Sequence, residues 1–223
     1  MSQVYEQIRK YHSELDPLGV ELVAVSKFHP VEKLREAYDA GQRVFGESRQ
    51  AELLDKISQL PDDTVWHFIG HLQTNKVRSL IGKVALFESV DSERLLDLID
   101  RESFKAGIVS RVLMQIHVAE EETKTGFLPA ELLDYFRSRK YENLKAAHIC
   151  GVMGMASNTD DVDRIKSDFR AIAEIRNEIL QLCPDLRGFD IVSMGMSGDY
   201  KTAIECGSTH VRIGTDIFGE REY

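Results

Sequence analysis

The chain has 223 residues, 43% hydrophobic and 29% charged, with 28 Lys and Arg against 37 Asp and Glu for a formal net charge of −9. This is too apolar for a disordered polymer, and a chain of this length buries roughly 70% of its unfolded surface, so its core needs neither disulfides nor metals. The acidic balance excludes a general nucleic-acid binder, whose affinity comes from clustered cations, yet it allows a small local anion pocket.

Cys150, Cys183 and Cys206 are scattered and form no C-x-x-C pair, which predicts reduced thiols in a cytoplasmic protein. No apolar run approaches the roughly 18 residues of a membrane span. The opening stretch MSQVYEQIRKYHSELDPLG reads as an amphipathic helix without the apolar region of a signal peptide.

Beyond that helix, short apolar runs alternate with longer amphipathic stretches. The runs cover 21–27, 43–47, 65–70, 84–90, 109–118, 147–155, 190–196 and 210–218. Each is of strand length and rich in Val, Ile and Phe, as buried parallel strands are. Between them, 31–41 places Leu34, Ala37 and Tyr38 on one helical face before Gly41. The stretch 92–107 opens on Ser92 as N-cap and closes on Gly107, and 160–183 forms a longer helix. Strict alternation predicts parallel pairing, and eight units are the number that closes a (β/α)8 barrel. A doubly wound open sheet is the alternative, because the pattern does not encode closure. No linker or composition shift divides the chain, which predicts one domain.

In either architecture, active sites collect at the C-terminal ends of the strands. Polar and glycine residues gather there: Ser26-Lys27, Gly46-Glu47-Ser48, Gly70-His71, Gly154-Met155, Gly195-Met196-Ser197-Gly198, and Arg212 with Gly214-Thr215. A lysine at the top of an apolar strand, partly desolvated, has a lowered pKa, and its neutral amine attacks carbonyls. The plainer reading of Lys27 is a strand-end lysine that reaches solvent. The segments SMGMSGD (193–199) and RIGT (212–215) fall where the last two units of such barrels build a phosphate site from backbone N–H groups and hydroxyls. His67 and His71 straddle a strand end with no Glu between them, so the pair lacks the pattern of a zinc site.

The strings AVSKFHP, FGESRQAE, WHFIGHLQTNK, KTGF, GVMGMAS and SMGMSGDYKTAIECGSTHVRIGTDIFG resemble the pyridoxal phosphate homeostasis proteins, a family related to the N-terminal barrel of alanine racemase. The likeness runs from about Glu21 to Gly219. It implies a single (β/α)8 TIM barrel, preceded by an extra helix, that holds pyridoxal 5′-phosphate (PLP) in its mouth. By the resemblance, Lys27 stands at the aldimine-forming lysine, Arg212 at the arginine facing the pyridine nitrogen, and Ser197, Gly214 and Thr215 at the phosphate. Met155, Ser48 and Lys124 match further positions near the cofactor. Many relatives carry FGEN where this chain has FGES, and Ser48 is shorter than Asn and lacks its amide.

The function this implies is a non-catalytic carrier that buffers PLP, with PLP-dependent apo-enzymes as recipients. The alternative is a PLP-dependent amino-acid racemase. Racemisation needs acid/base groups on both faces of the bound amino acid, and in the related racemases the second is a tyrosine of an additional C-terminal domain. Tyr200 is the tyrosine nearest a predicted strand end on the site side, and the chain stops at Tyr223. The shortness of the chain favours the carrier and a monomer. A barrel for another phosphate ester, with Lys27 as an ordinary charge, is the third reading.

Overall fold

The computed structural model describes residues 2–118 and 125–220. Helix α1 (Gln3–Leu15) begins at Ser2, whose side chain accepts from the Tyr5 N–H at 3.2 Å. Its buried stripe of Val4, Ile8, Tyr11 and Leu15 follows helical spacing, and each such side chain contributes about 2 kcal/mol through burial. Eight parallel strands follow: β1 (Glu21–Val25), β2 (Val44–Glu47), β3 (Val65–Phe68), β4 (Leu86–Val90), β5 (Ser110–Ile116), β6 (Ala147–Gly154), β7 (Ile191–Met196) and β8 (His210–Ile213). Each pairs with its sequence neighbour, and β8 returns to β1 through Glu21↔His210 and Val23↔Arg212, which closes the barrel. The open-sheet alternative is thereby excluded.

Among the described residues the remaining α-helices are α2 (Val31–Asp39), α3 (Gln50–Ile57), α4 (Val77–Leu80), α5 (Glu93–Ala106), α6 (Pro129–Arg137), α7 (Val162–Leu182), α8 (Tyr200–Glu205) and α9 (Thr215–Phe218). Helix α5 has the caps its sequence predicts. Ser92 accepts from the Leu95 N–H at 3.4 Å, and Gly107 ends the helix in the left-handed conformation with φ of 67°. The run 210–218 is not one strand. It breaks at Gly214, whose carbonyl accepts from Ile217 and Phe218 and starts α9; a short apolar run carries no periodicity to separate strand from helix.

Two apolar regions result. The larger fills the layer between strands and helices, while Leu86, Leu113, Cys150, Met153 and Ile191 form a separate cluster. Side chains two apart on a strand share a face. Glu88, Gln115 and Ser193 therefore lie on the same faces as Leu86, Leu113 and Ile191, and make a polar layer next to that apolar plug.

Candidate functional site

At the C-terminal ends of the strands, a cavity of about 220 Å³ is lined by residues of five strands or the loops after them. Lys27, Met155, Ser197, Arg212, Gly214 and Thr215 all border it, so the fold brings together residues spread over 189 positions of sequence, from 27 to 215. Val25, Ile69, Met153 and Met196 add apolar surface, and the buried His29, stacked on Phe218 at 5.3 Å between ring centroids, borders it as well. Lys27 itself is half-buried. Ser48 is not among the lining residues: it follows β2 with its backbone pressed against Gly70 at the end of β3. Lys124 lies outside the described residues.

Gly195 explains how the loop carrying Ser197 reaches the cavity. Its φ of +95° is open to glycine, and a Cβ there would stand 2.6 Å from the Ala203 Cβ and 3.0 Å from the Tyr200 Cα. The missing side chain lets α8 close onto the end of β7 and turns Met196, Ser197 and Gly198 inward. The turn is held by Asp199, whose Oδ1 accepts from the Met196 N–H at 2.5 Å. Next to it, after β8, α9 is fixed from outside the barrel: Tyr11 donates to Asp216 Oδ2 at 2.7 Å, and Lys33 Nζ donates to the Phe218 carbonyl at 2.9 Å.

Arg212 is buried, with 5% of its surface exposed. Its Nη1 donates to Ser193 Oγ at 2.6 Å and its Nη2 to the Gly154 carbonyl at 3.0 Å, with Glu88 Oε2 at 3.8 Å from Nη1. Ser193 Oγ in turn donates to Glu88 Oε2 at 2.6 Å, and His67 Nδ1 meets Glu88 Oε1 at 2.7 Å. Burial alone would raise the Glu88 pKa; the hydrogen bond and charge of His67, the charge of Arg212 and the Ser193 hydroxyl outweigh it and hold the carboxyl at about 2. Burial likewise works against the charged form of Arg212 and lowers its pKa, with Glu88 opposing the effect. The guanidinium facing the cavity thus carries its own counter-charge, and its field there is weaker than that of a lone arginine. His210, stacked on His67 at 6.2 Å between centroids, is driven by desolvation to a pKa of about 4 and is neutral at pH 7.

Sequence reasoning passed over this array, although Glu88 in LFESV and His67 in VWHF gave a signal: a charged group in an apolar strand must find a buried partner. It also passed over Lys56, buried on α3 between Glu47 and Glu52 at 2.7 and 2.6 Å. His67 and His71 do not converge: His67 faces Glu88, while the exposed His71 ring meets Asp91 at 2.9 Å. Tyr200 turns away from the cavity. Its hydroxyl donates to Glu14 at 3.0 Å and its ring packs edge-on against Tyr11.

Comparison with known proteins fits this geometry. The family model "Alanine racemase, N-terminal domain" matches residues 1–222, which sets the class: a barrel of the alanine racemase type. The alanine racemase of Clostridium difficile shares the fold at a TM-score of 0.75 with 15% identity, over 98% of this chain and 58% of that one. The pyridoxal phosphate homeostasis protein of Aquifex aeolicus is 41% identical over 232 residues, covering 100% of this chain and 97% of the relative. The human protein of that name is 36% identical, over 99% of this chain and 84% of the relative. PipY of Synechococcus elongatus PCC7942, solved with PLP bound, superposes with a TM-score of 0.89 at 34% identity, over 97% of this chain and all of that one. The chain belongs to the pyridoxal phosphate homeostasis protein family.

Proposed function

We propose that this protein binds pyridoxal 5′-phosphate at the barrel mouth, holds it reversibly on Lys27, and buffers and delivers it inside the cell without catalysing a reaction of its own. The observation that carries this reading is the single cavity shared by Lys27, Arg212, Ser197, Gly214 and Thr215. The donor set fits the cofactor group by group: a primary amine for the aldehyde, a guanidinium for the ring nitrogen, hydroxyls and glycine backbone for the phosphate, and methionine, valine and isoleucine surface for the ring. When bound, the cofactor supplies an aldehyde that condenses with an amine, forming a carbon–nitrogen double bond and releasing water.

Arg212 keeps its protons at the guanidinium, since arginine is no acid near pH 7; a ring nitrogen facing it stays unprotonated and is a poor electron sink, which favours holding PLP, or racemase-like chemistry, over the wider reactions of PLP enzymes with an aspartate partner. A racemase would also need a second proton-moving group opposite Lys27. The Tyr200 hydroxyl is engaged by Glu14, and burial together with that carboxylate pushes its pKa up to about 12. The likeness to PipY, solved with PLP, and to proteins named for PLP homeostasis supports the cofactor and the role. In this reading the protein works as a monomer in the cytoplasm, with PLP-dependent apo-enzymes as recipients; its free cysteines fit a reducing compartment.

The experiment is spectroscopic. Protein incubated with PLP should absorb in the visible, and borohydride should fix the cofactor on the peptide containing Lys27, with both signals absent in Lys27→Ala. A protein that stays colourless and gains no label refutes the cofactor reading. Turnover of alanine or another amino acid, lost in Lys27→Ala, would replace the carrier by an enzyme.

A further inference from the structure

We propose that Lys56 and Glu52 are positioning residues for Lys27: a buried ion cluster between α3 and the barrel grips both peptide groups that bracket this lysine, and so directs its amine into the cavity. The inference rests on the reading of Lys27 as the attachment point. Lys56 is 4% exposed, and its ammonium makes three donations: to the Ser26 carbonyl at 2.8 Å, to Glu47 Oε1 at 2.7 Å and to Glu52 Oε1 at 2.6 Å. An ammonium has three protons, so its capacity is spent. Glu52 Oε1 also accepts from the Phe28 N–H at 2.6 Å. The Ser26 carbonyl belongs to the peptide bond before Lys27, and the Phe28 N–H to the one after it. Both planes that meet at the Lys27 Cα are therefore tied to one cluster.

The backbone there needs such a grip. Phe28 has φ of +67°, a left-handed conformation disfavoured for any residue with a Cβ and retained only where the surroundings over-determine it. The Arg49 guanidinium, 4.3 Å over the Phe28 ring, holds its side chain in place. Further anchors converge on Ser26: its hydroxyl donates to Glu47 Oε1 at 2.6 Å and its N–H to the Gly46 carbonyl at 3.1 Å. A buried ion pair is no better for stability than well-packed apolar residues of the same volume. What this cluster adds is direction, because two of its contacts fall on the backbone immediately around Lys27.

The test uses the full chain, first without cofactor. Amide hydrogen exchange is read for the segment 24–30 in the wild type, Glu52→Ala, Glu52→Gln and Lys56→Met, beside exchange in α5 and α7 as reference. PLP is then added, and the rate of borohydride-fixed label on Lys27 is measured. We expect exchange in 24–30 to rise about tenfold or more in Glu52→Ala while α5 and α7 keep their protection, and Lys27 labelling to slow by a similar factor. Glu52→Gln, which keeps a neutral acceptor for Phe28, should recover part of both. Exchange in 24–30 that does not change, exchange that rises evenly over the whole molecule, or faster local exchange with unaltered labelling would each overturn the proposal. Should Lys56→Met fail to fold, because the buried Glu47 and half-buried Glu52 lose their shared cation, the Glu52 variants decide. A wild type that takes no label refutes the cofactor reading, and the clamp is then judged on the exchange data alone.

Discussion

Glu88→Gln removes one charge from the centre of the barrel while keeping nearly the same shape. Glu88 is fully buried between His67, Ser193 and Arg212, and its carboxyl is held at about 2 against an ordinary 4.5. At about 1.4 kcal/mol for each tenfold change in proton affinity, that difference is worth about 3 kcal/mol of folding free energy at pH 7. Measured costs of breaking a buried ion pair, about 3–5 kcal/mol, agree. Urea unfolding at pH 7 should show the variant less stable by about 3 kcal/mol, or a melting temperature lower by roughly 6–12 °C for a chain of this size. The pH dependence fixes the cause. A carboxyl whose folded-state pKa is depressed contributes fully above its unfolded value and loses that contribution as pH falls, so the gap between wild type and variant should narrow below about pH 4.5, with about 2 kcal/mol of it gone by pH 3. Glu47, pushed up by burial despite Lys56, works in the opposite sense but is common to both proteins and cancels. A gap under about 1 kcal/mol at pH 7, or one that stays constant between pH 5 and 3, would refute the assignment of Glu88 as the counter-charge of Arg212.

Arg212→Glu, which places a carboxylate where the guanidinium faces the cavity, should shift the visible spectrum of the PLP-loaded protein if Arg212 meets the ring nitrogen; an unchanged spectrum counts against that contact. Ser197→Ala combined with Thr215→Val should weaken PLP binding by about tenfold or more through lost hydroxyl donors, read by fluorescence titration, with free pyridoxal nearly unaffected because it lacks the phosphate. Gly195→Ala forces a Cβ against Ala203 at φ of +95° and should cost about 2–3 kcal/mol of stability, measured by urea unfolding. Tyr11→Phe removes the hydrogen bond to Asp216; about 1 kcal/mol of stability should be lost, and PLP should dissociate faster because α9 carries Thr215.

Much of the architecture is legible in the sequence because it rests on local pattern. Apolar runs alternating with amphipathic stretches mark the strands, Ser92 and Gly107 mark the ends of α5, and polar residues at strand ends mark the face where a site belongs. The polar residues of the cavity were legible for the same reason: Lys27 ends an apolar run, and Ser197, Arg212, Gly214 and Thr215 lie in glycine-punctuated strings at the ends of the last two strands. Partners distant in sequence leave no such trace. Ser193 and Glu88 are 105 residues apart, Tyr11 and Asp216 are 205 apart, and no periodicity says that they meet.

The sequence by itself thus determined the alternation of strands and helices, the face that carries the site, and the amine, guanidinium and hydroxyls available there. Tertiary structure alone decided that the sheet closes, that Arg212 is matched by Glu88, that Tyr200 serves α1 and not the cavity, and that Ser48 stays outside the lining. The reason is physical. Hydrophobic periodicity is set by each segment's own geometry, whereas the pairing of buried charges depends on which strands the barrel's closure places opposite one another.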